Sequence, residues 1–271
     1  MPETDAWRLS EDQTERPNAA RYYDYLLGGY HNFAVDRKLG DMVIKVFPDV
    51  RLGALANRAF LRRVVKFLSQ QGIDQFLDIG SGIPTSGNVH EVAQKINPAA
   101  HVIYVDLDPM AVLHSQAILK NNPNASIIQE DIHNIEKILT HPTFTASIDL
   151  HRPLGVLLLS VLHFVIDDVK LEKIMGILKD ALTPGSFVAI SHYSVEGASL
   201  ETIAQLDRFT GSTKTPAVSR TFAETTRLFD GFELLEPGVV RVQLWRPECP
   251  EDTFIVQPER TLAVAGVGRK A

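Results

Sequence analysis

The most informative segment of the sequence is Leu77-Asp78-Ile79-Gly80-Ser81-Gly82. Together with the residues before it, this segment predicts a short strand over Gln75–Ile79 that ends in a glycine turn. Glycines in the turn allow tight backbone bending and a close approach to a ligand. A Gly-x-Gly turn alone is weak evidence for a ligand site, so its meaning depends on the segments around it.

Downstream of this turn, short apolar runs alternate with amphipathic segments. Further strands are predicted at His101–Val105, Ala125–Gln129, Leu154–Leu159 and Phe187–Ser191. Helices are predicted at Gly87–Ile96, Pro109–Leu119, Asn134–Leu139 and Asp167–Leu182, with a broken helical pattern over 196–230. Closing strands are expected within Phe232–Leu235, Val239–Leu244 and Thr261–Val264. This alternation is typical of an α/β fold with a mostly parallel sheet and helices on both faces.

The sequence before residue 72 has a different pattern. Residues 1–16 are polar and are predicted to form an N-terminal arm. Residues 17–71 show helical spacing of apolar side chains, interrupted at Gly28-Gly29 and Pro48 and ended at Gly72. We therefore expect three parts: an arm at 1–16, a helical cap at 17–71 and a ligand-binding domain at 72–271.

Three acidic residues lie at the ends of three successive predicted strands. Asp78 stands where a nicotinamide-binding turn normally has an apolar residue, and an acid there suits the ammonium group of a methionine moiety. Asp106 ends the second strand, where a carboxylate accepts hydrogen bonds from a ribose diol, and this position favours it over Asp108. Asp131 closes the third strand, within reach of an adenine amino group. The trio predicts S-adenosylmethionine as the ligand.

A nicotinamide-dependent oxidoreductase is the competing interpretation of the glycine turn. Its phosphate-binding pattern needs a third glycine, but Thr85 occupies that position. Asp78 also argues against it, because a carboxylate repels a pyrophosphate.

These segments resemble the class I S-adenosylmethionine-dependent methyltransferases over residues 75–132 and most of 72–193. The sequence is similar, more sharply, to a mostly actinobacterial family called S-adenosyl methyltransferase, formerly a domain of unknown function. The matching segments are Pro17–Gly29, Asn32-Phe33, Asn57–Arg63, Gly80-x-Gly82-x-Pro84-Thr85, Gly87–Glu91 and Gly266–Arg269. The resemblance implies a Rossmann-like fold with a seven-stranded sheet and S-adenosyl-L-methionine as cofactor. It implies no particular methyl acceptor.

The predicted cofactor site combines the strand ends with the helical cap. In the cap, an aromatic face would attract the sulfonium cation and an arginine would pair with the methionine carboxylate. The alternative is that these are packing residues between cap and core and a surface arginine. The expected cofactor-binding residues are Asp78, Gly80, Ser81, Gly82, Asp106, Leu107, Asp131, Ile132, Ser160, Tyr23, Asn32 and Arg58.

The reaction centre is expected beyond the fourth strand. His163 is the candidate general base, because an imidazole can exchange a proton near neutral pH. The alternative is that His163 packs under the next helix, which Asp167 and Asp168 are expected to begin. Beyond the fifth strand, His192 and Tyr193 also point to the ligand edge as candidate substrate contacts.

Composition limits the remaining function classes. The net charge of -6 shows no basic field for nucleic acid, and the nine histidines with the single Cys249 form no metal-binding motif. An acidic N-terminus and the absence of an apolar run of about 20 residues predict a cytoplasmic protein without a membrane span. We expect transfer of a methyl group to a small-molecule oxygen or nitrogen. The alternative is a non-catalytic S-adenosylmethionine-binding sensor or partner protein.

Overall fold

The computed structural model describes residues 15–84, 87–210, 216–248 and 257–271, so most of the predicted arm, Thr85 and Cys249 lie outside the described residues. The helices are α1 Ala19–Leu26, α2 Ala34–Val46, α3 Val50–Gln70, α4 Val89–Ile96, α5 Pro109–Leu119, α6 Ile135–Thr140, α7 Pro142–Ser147, α8 Asp168–Ala181, α9 Leu200–Thr210 and α10 Phe222–Arg227. The strands are β1 Gln75–Ile79, β2 His101–Asp106, β3 Ala125–Gln129, β4 Gly155–Leu159, β5 Phe187–Tyr193, β6 Glu233–Leu234, β7 Val240–Arg241 and β8 Ala263–Arg269.

The strands form one sheet in the order β3-β2-β1-β4-β5-β8-β6, with β7 paired to β8 off this path. Strands β1 to β5 are parallel to their neighbours, and β8 runs antiparallel to β5. The strand order reverses between β1 and β4, which is where open α/β sheets bind ligands. The predicted fold class is therefore confirmed.

The predicted number of seven strands is wrong, because the described sheet has eight. Strand β8 is seven residues long and offers one edge to two partners. The two-residue β6 pairs with its end at Gly268 and Arg269, and the two-residue β7 pairs with its beginning at Val264 and Ala265. Two short strands thus share this one edge of β8.

Apolar side chains cover both faces of the sheet, as a parallel sheet requires. Strand β1 shows the alternation, because Leu77 and Ile79 join one buried cluster and Phe76 joins the other. Helix α3 packs against the Phe76 side through Phe60, Val64 and other side chains. No helix in the described parts of the chain is long and apolar enough to cross a membrane.

Helices α1 to α3 occupy the region predicted as the cap. Asn18 begins α1 by accepting the backbone N–H of Ala20, and Gly28 follows its end with a φ of +79°. Helix α1 packs on α2 and α3, and α3 packs on the sheet. The division into an arm, a cap and a ligand-binding domain stays a prediction.

Candidate binding site at the carboxyl ends of the strands

The glycine turn lies at the switch point between β1 and β4. Gly80 and Gly82 have φ values of +74° and +66°, a region that side chains rarely adopt. A Cβ atom at position 80 would also lie 2.5 Å from Cγ2 of Val161, which follows β4. Glycine is therefore required at position 80 by both backbone conformation and close packing.

Asp106 ends β2 and its carboxylate reaches the glycine turn. Its Oδ2 accepts the backbone N–H of Gly82 at 2.7 Å, and its Oδ1 accepts that of Asp108 at 2.9 Å. Burial raises the pKa of Asp106 to about 6. Asp108 instead begins α5, because its carboxylate accepts the backbone N–H of Met110 at 2.8 Å. The two acids thus have different structural positions, with Asp106 on the turn and Asp108 at the helix.

Asp78 is buried beside Asp106. Burial is the main cause that raises the pKa of Asp78 to about 7; the nearby Arg58 guanidinium acts against this shift and the charge of Asp106 adds to it. Arg58 on α3 also donates to Oδ1 of Asn88 at 3.1 Å. Asp78 and Arg58 line a small pocket with Ser81 and Gly82. The structure therefore brings the first predicted acid, the predicted arginine and the glycine turn together.

The ends of β2 and β3 hold the other predicted adenosine contacts. Asp131 accepts the backbone N–H of His133 at 2.9 Å and so begins the 3-10 turn after β3. Ile132 is buried in the core cluster, whereas the side chain of Leu107 is 61% exposed. Leu107, more than Ile132, offers an apolar side chain to a ligand at these strand ends.

A buried hydrogen-bond network joins the helical segment to β4 and β5. The Asn57 amide donates to the Tyr23 hydroxyl at 3.1 Å and to Ser160 Oγ at 3.0 Å. Ser191 Oγ donates to Asn57 Oδ1 at 2.7 Å. Ser160 directly follows β4 and has a φ of +57°, which is uncommon for a residue with a side chain. The predictions included Tyr23 and Ser160 but missed the residue that joins them, Asn57.

Asn32 lies in the loop between α1 and α2. Its amide donates to Oδ2 of Asp24 and to the carbonyl of Gly29, both at 2.9 Å, and its Oδ1 accepts from Arg37. The side chain therefore holds the loop together. The same loop reaches α5, where the rings of His31 and His114 lie 4.1 Å apart.

Two histidines contact each other at the carboxyl ends of the strands: His163 lies after β4, and His192 is the second-last residue of β5. The rings of His163 and His192 lie 5.8 Å apart, and Arg220 lies 3.0 Å from Nε2 of His192. Arginine only donates, so this nitrogen of His192 is the acceptor and its Nδ1 donates to the carbonyl of Tyr193. Burial is the main cause that lowers the pKa of His163 to about 3 and that of His192 to about 4, and the charge of Arg220 contributes to both shifts.

Nδ1 of His163 is buried and has no hydrogen-bond partner within the described residues. The ring also lies against Phe164 and Tyr193. As the next helix begins, Asp167 accepts backbone N–H groups, and Asp168 pairs with Arg220 at 2.7 Å. This arrangement provides a neutral imidazole beside the strand ends. It does not by itself provide a strong base.

Known proteins place this geometry in a family context. A model of the family described as S-adenosyl methyltransferase matches residues 5–271. A candidate methyltransferase from Thermobifida fusca is 40% identical with a TM-score of 0.90, covering 98% of this chain and 99% of that one. A DUF574 family protein from Streptomyces avermitilis is 35% identical with a TM-score of 0.90, covering 96% and 99%.

A more distant structure shares the fold only. The mitomycin 7-O-methyltransferase MmcR is 13% identical with a TM-score of 0.51, and the similarity covers 82% of this chain and 56% of that one. No curated protein matches the sequence.

Proposed function

Because the chain belongs to the S-adenosyl methyltransferase family, we propose that it transfers the methyl group of S-adenosyl-L-methionine to an oxygen or nitrogen atom of a small molecule. The observation that carries this proposal is the pair of buried acids, Asp78 and Asp106, on either side of the glycine turn. One carboxylate suits the ammonium group of the methionine moiety and the other suits a ribose diol.

The residues present fit this cofactor along its length. Asp106 would accept the ribose hydroxyls, and Arg58 would pair with the methionine carboxylate. Ser81 Oγ is buried in the same pocket and lacks a hydrogen-bond partner within the described part of the chain, which fits a hydroxyl that serves a ligand. Leu107, Asp131 and the more deeply buried Ile132 would form the adenine end. Tyr23 and Ser160 would face the sulfonium, and Asn32 would support this site by holding its loop.

The bound cofactor supplies an electrophilic methyl group, so the protein must mainly align the acceptor and exclude water. His163 is proposed to bind the acceptor through its buried Nδ1. As a general base it would have to gain a proton against burial and the charge of Arg220. An acceptor that is nucleophilic without losing a proton therefore suits this site better than a weakly acidic hydroxyl.

Calorimetry with S-adenosylmethionine and S-adenosylhomocysteine tests the cofactor assignment, and transfer of labelled methyl groups to small-molecule extracts tests catalysis. We expect binding of both ligands and labelled product. Absence of binding of both ligands would refute the proposed cofactor and with it the proposed function. Tight binding without transfer to any fraction would favour a non-catalytic binding protein instead.

A further inference from the structure

Four side chains from separate elements meet beside the glycine turn. Tyr23 comes from α1, Asn57 from α3, Ser160 follows β4 and Ser191 lies on β5. Asn57 and Ser191 are buried, whereas Tyr23 and Ser160 are partly exposed. The buried pair therefore holds the two side chains that can reach a ligand.

Every hydroxyl and amide hydrogen of these four side chains is donated in a hydrogen bond. The Tyr23 hydroxyl donates to the carbonyl of Ala54 at 3.1 Å, and the Asn57 amide donates to Tyr23 and Ser160. The Ser191 hydroxyl donates to Asn57, so in its 3.3 Å contact with Ser160 the hydrogen must come from Ser160. Ser160 Oγ thus accepts one hydrogen bond, donates one and retains one lone pair.

Ser160 is also fixed by its backbone. Its N–H donates to the carbonyl of Ser191 at 3.0 Å, and its φ of +57° directs the chain away from the line of β4. The next residue, Val161, packs against Gly80. Ser160 therefore lies beside the glycine turn at the switch point, with a hydroxyl that presents a lone pair and no spare hydrogen.

We propose that Asn57 is a positioning residue that orients Ser160 Oγ toward the sulfonium, so that the site favours S-adenosylmethionine over S-adenosylhomocysteine. This inference rests on the proposed function. The two ligands differ by one methyl group and one positive charge at sulfur. An oxygen with a lone pair and no free hydrogen attracts that cation, and it offsets the unfavourable charge of the nearby Arg58.

The test compares the dissociation constants of both ligands by calorimetry for the wild-type chain and five variants. Ser160→Gly removes the hydroxyl but suits the left-handed backbone, and Asn57→Ala removes the positioning amide. Each substitution should raise the dissociation constant of S-adenosylmethionine about fivefold and change that of S-adenosylhomocysteine less than about twofold. Ser186→Ala is the matched control, because Ser186 precedes β5 at the opposite end of the sheet and should leave both constants unchanged.

The double variant separates positioning from general damage. If Asn57 acts through Ser160, the loss in the double variant should equal that of Ser160→Gly alone. Ser191→Ala loosens Asn57 without removing its amide and should give a smaller loss in the same direction, which keeps the test valid if Asn57→Ala does not fold. Equal losses for both ligands would overturn the inference. A wild-type chain that binds neither ligand would refute the proposed function instead.

Discussion

At the scale of single residues, two buried acids dominate the site. Asp106 already has two backbone N–H partners, and these oppose the effect of burial on its pKa. Among the described residues no backbone N–H helps Asp78, and the opposing charge is that of Arg58, so its pKa is raised further. The fold has removed most water from these carboxylates, so hydrogen-bond donors of a ligand would supply the partners that water otherwise provides. Binding should therefore be sensitive both to substitution of either acid and to pH.

Replacing the acid at the end of β2 should weaken cofactor binding. Asp106→Ala leaves the ribose hydroxyls unpaired, so the binding free energy of S-adenosylmethionine should fall by about 1–3 kcal/mol in calorimetry. Asp74→Asn is the control, because Asp74 forms an exposed ion pair with Arg152 just before β1, at the opposite end of the strand from the site. An unchanged dissociation constant for Asp106→Ala would refute the ribose assignment.

Binding should also depend on pH with a defined sign. Protonation removes the negative charge of Asp78 below about pH 7 and that of Asp106 below about pH 6. If the ligand needs both carboxylates ionised, the affinity for S-adenosylhomocysteine should fall at least about tenfold between pH 8 and pH 5.5. Calorimetry at several pH values measures this change.

A matched variant separates the two acids. In Asp78→Asn the step near pH 7 should disappear and the step near pH 6 should remain. For the protein without ligand the sign is opposite, because a raised acid pKa gives stability at low pH that is lost as pH rises through about 7. An affinity for S-adenosylhomocysteine that stays constant from pH 8 to pH 5.5 would contradict the assignment of both acids.

At the scale of elements, strong local patterns made the fold predictable. The bounds of β1, β3 and α5 agree with the prediction, because apolar runs and the N-terminal Pro109 are local signals. Strand β8 was predicted to end at Val264 but runs to Arg269, across Gly266 and Gly268. A Cβ atom at Gly266 would lie 3.1 Å from the Phe229 ring, and one at Gly268 would lie 2.8 Å from that ring and 2.9 Å from Cβ of Phe232. Tertiary packing therefore selects residues that look unlike a strand.

Residues of the candidate site were predictable from the sequence only where they lie at the ends of strands. Asp78 and Asp106 each directly mark the end of a strand, so position in the pattern identified them. Asn57 and Ser191 are 134 residues apart, and only the folded chain joins them. No period or motif in a single sequence encodes such a contact, so the sequence alone assigns Asn57 no role.

Arg220 joins the segment before α10 to three other elements. It donates to the carbonyls of Leu162 and Val165, to His192 and to Asp168. Arg220→Ala leaves the buried carbonyl of Val165 and Nε2 of His192 unpaired, so we expect the free energy of unfolding to fall by at least about 2 kcal/mol. Chemical denaturation measures this loss.

Arg227→Ala is the comparison for Arg220→Ala. The Arg227 side chain is 70% exposed, and its 4.0 Å ion pair with Glu224 should be worth less than about 0.5 kcal/mol. Titration of Arg220→Ala by nuclear magnetic resonance adds a second readout. Loss of the Arg220 charge should raise the pKa of His163 and of His192, and Arg227→Ala should not. Equal stability losses in the two variants would show that Arg220 does not hold these elements together.

At the scale of the whole molecule, α3 connects the N-terminal helices to the sheet and to the C-terminal segment. Phe60 and Val64 share one buried cluster with Phe76 on β1. Arg63 donates to the carbonyls of Trp245 and Val242 at 3.0 and 2.9 Å. The helix that places Asn57 and Arg58 at the candidate site is therefore also part of the core, so the position of these two side chains depends on global packing.

This packing predicts that the chain unfolds as one cooperative unit. Phe60 is fully buried, with its ring centroid 5.4 Å from that of Trp245, so Phe60→Ala should cost about 3–5 kcal/mol of unfolding free energy. In a Trp7→Phe background, Trp245 fluorescence and far-ultraviolet circular dichroism should show coincident transitions before and after this substitution. Separate transitions would contradict the shared core and would favour residues 17–71 as an independent folding unit.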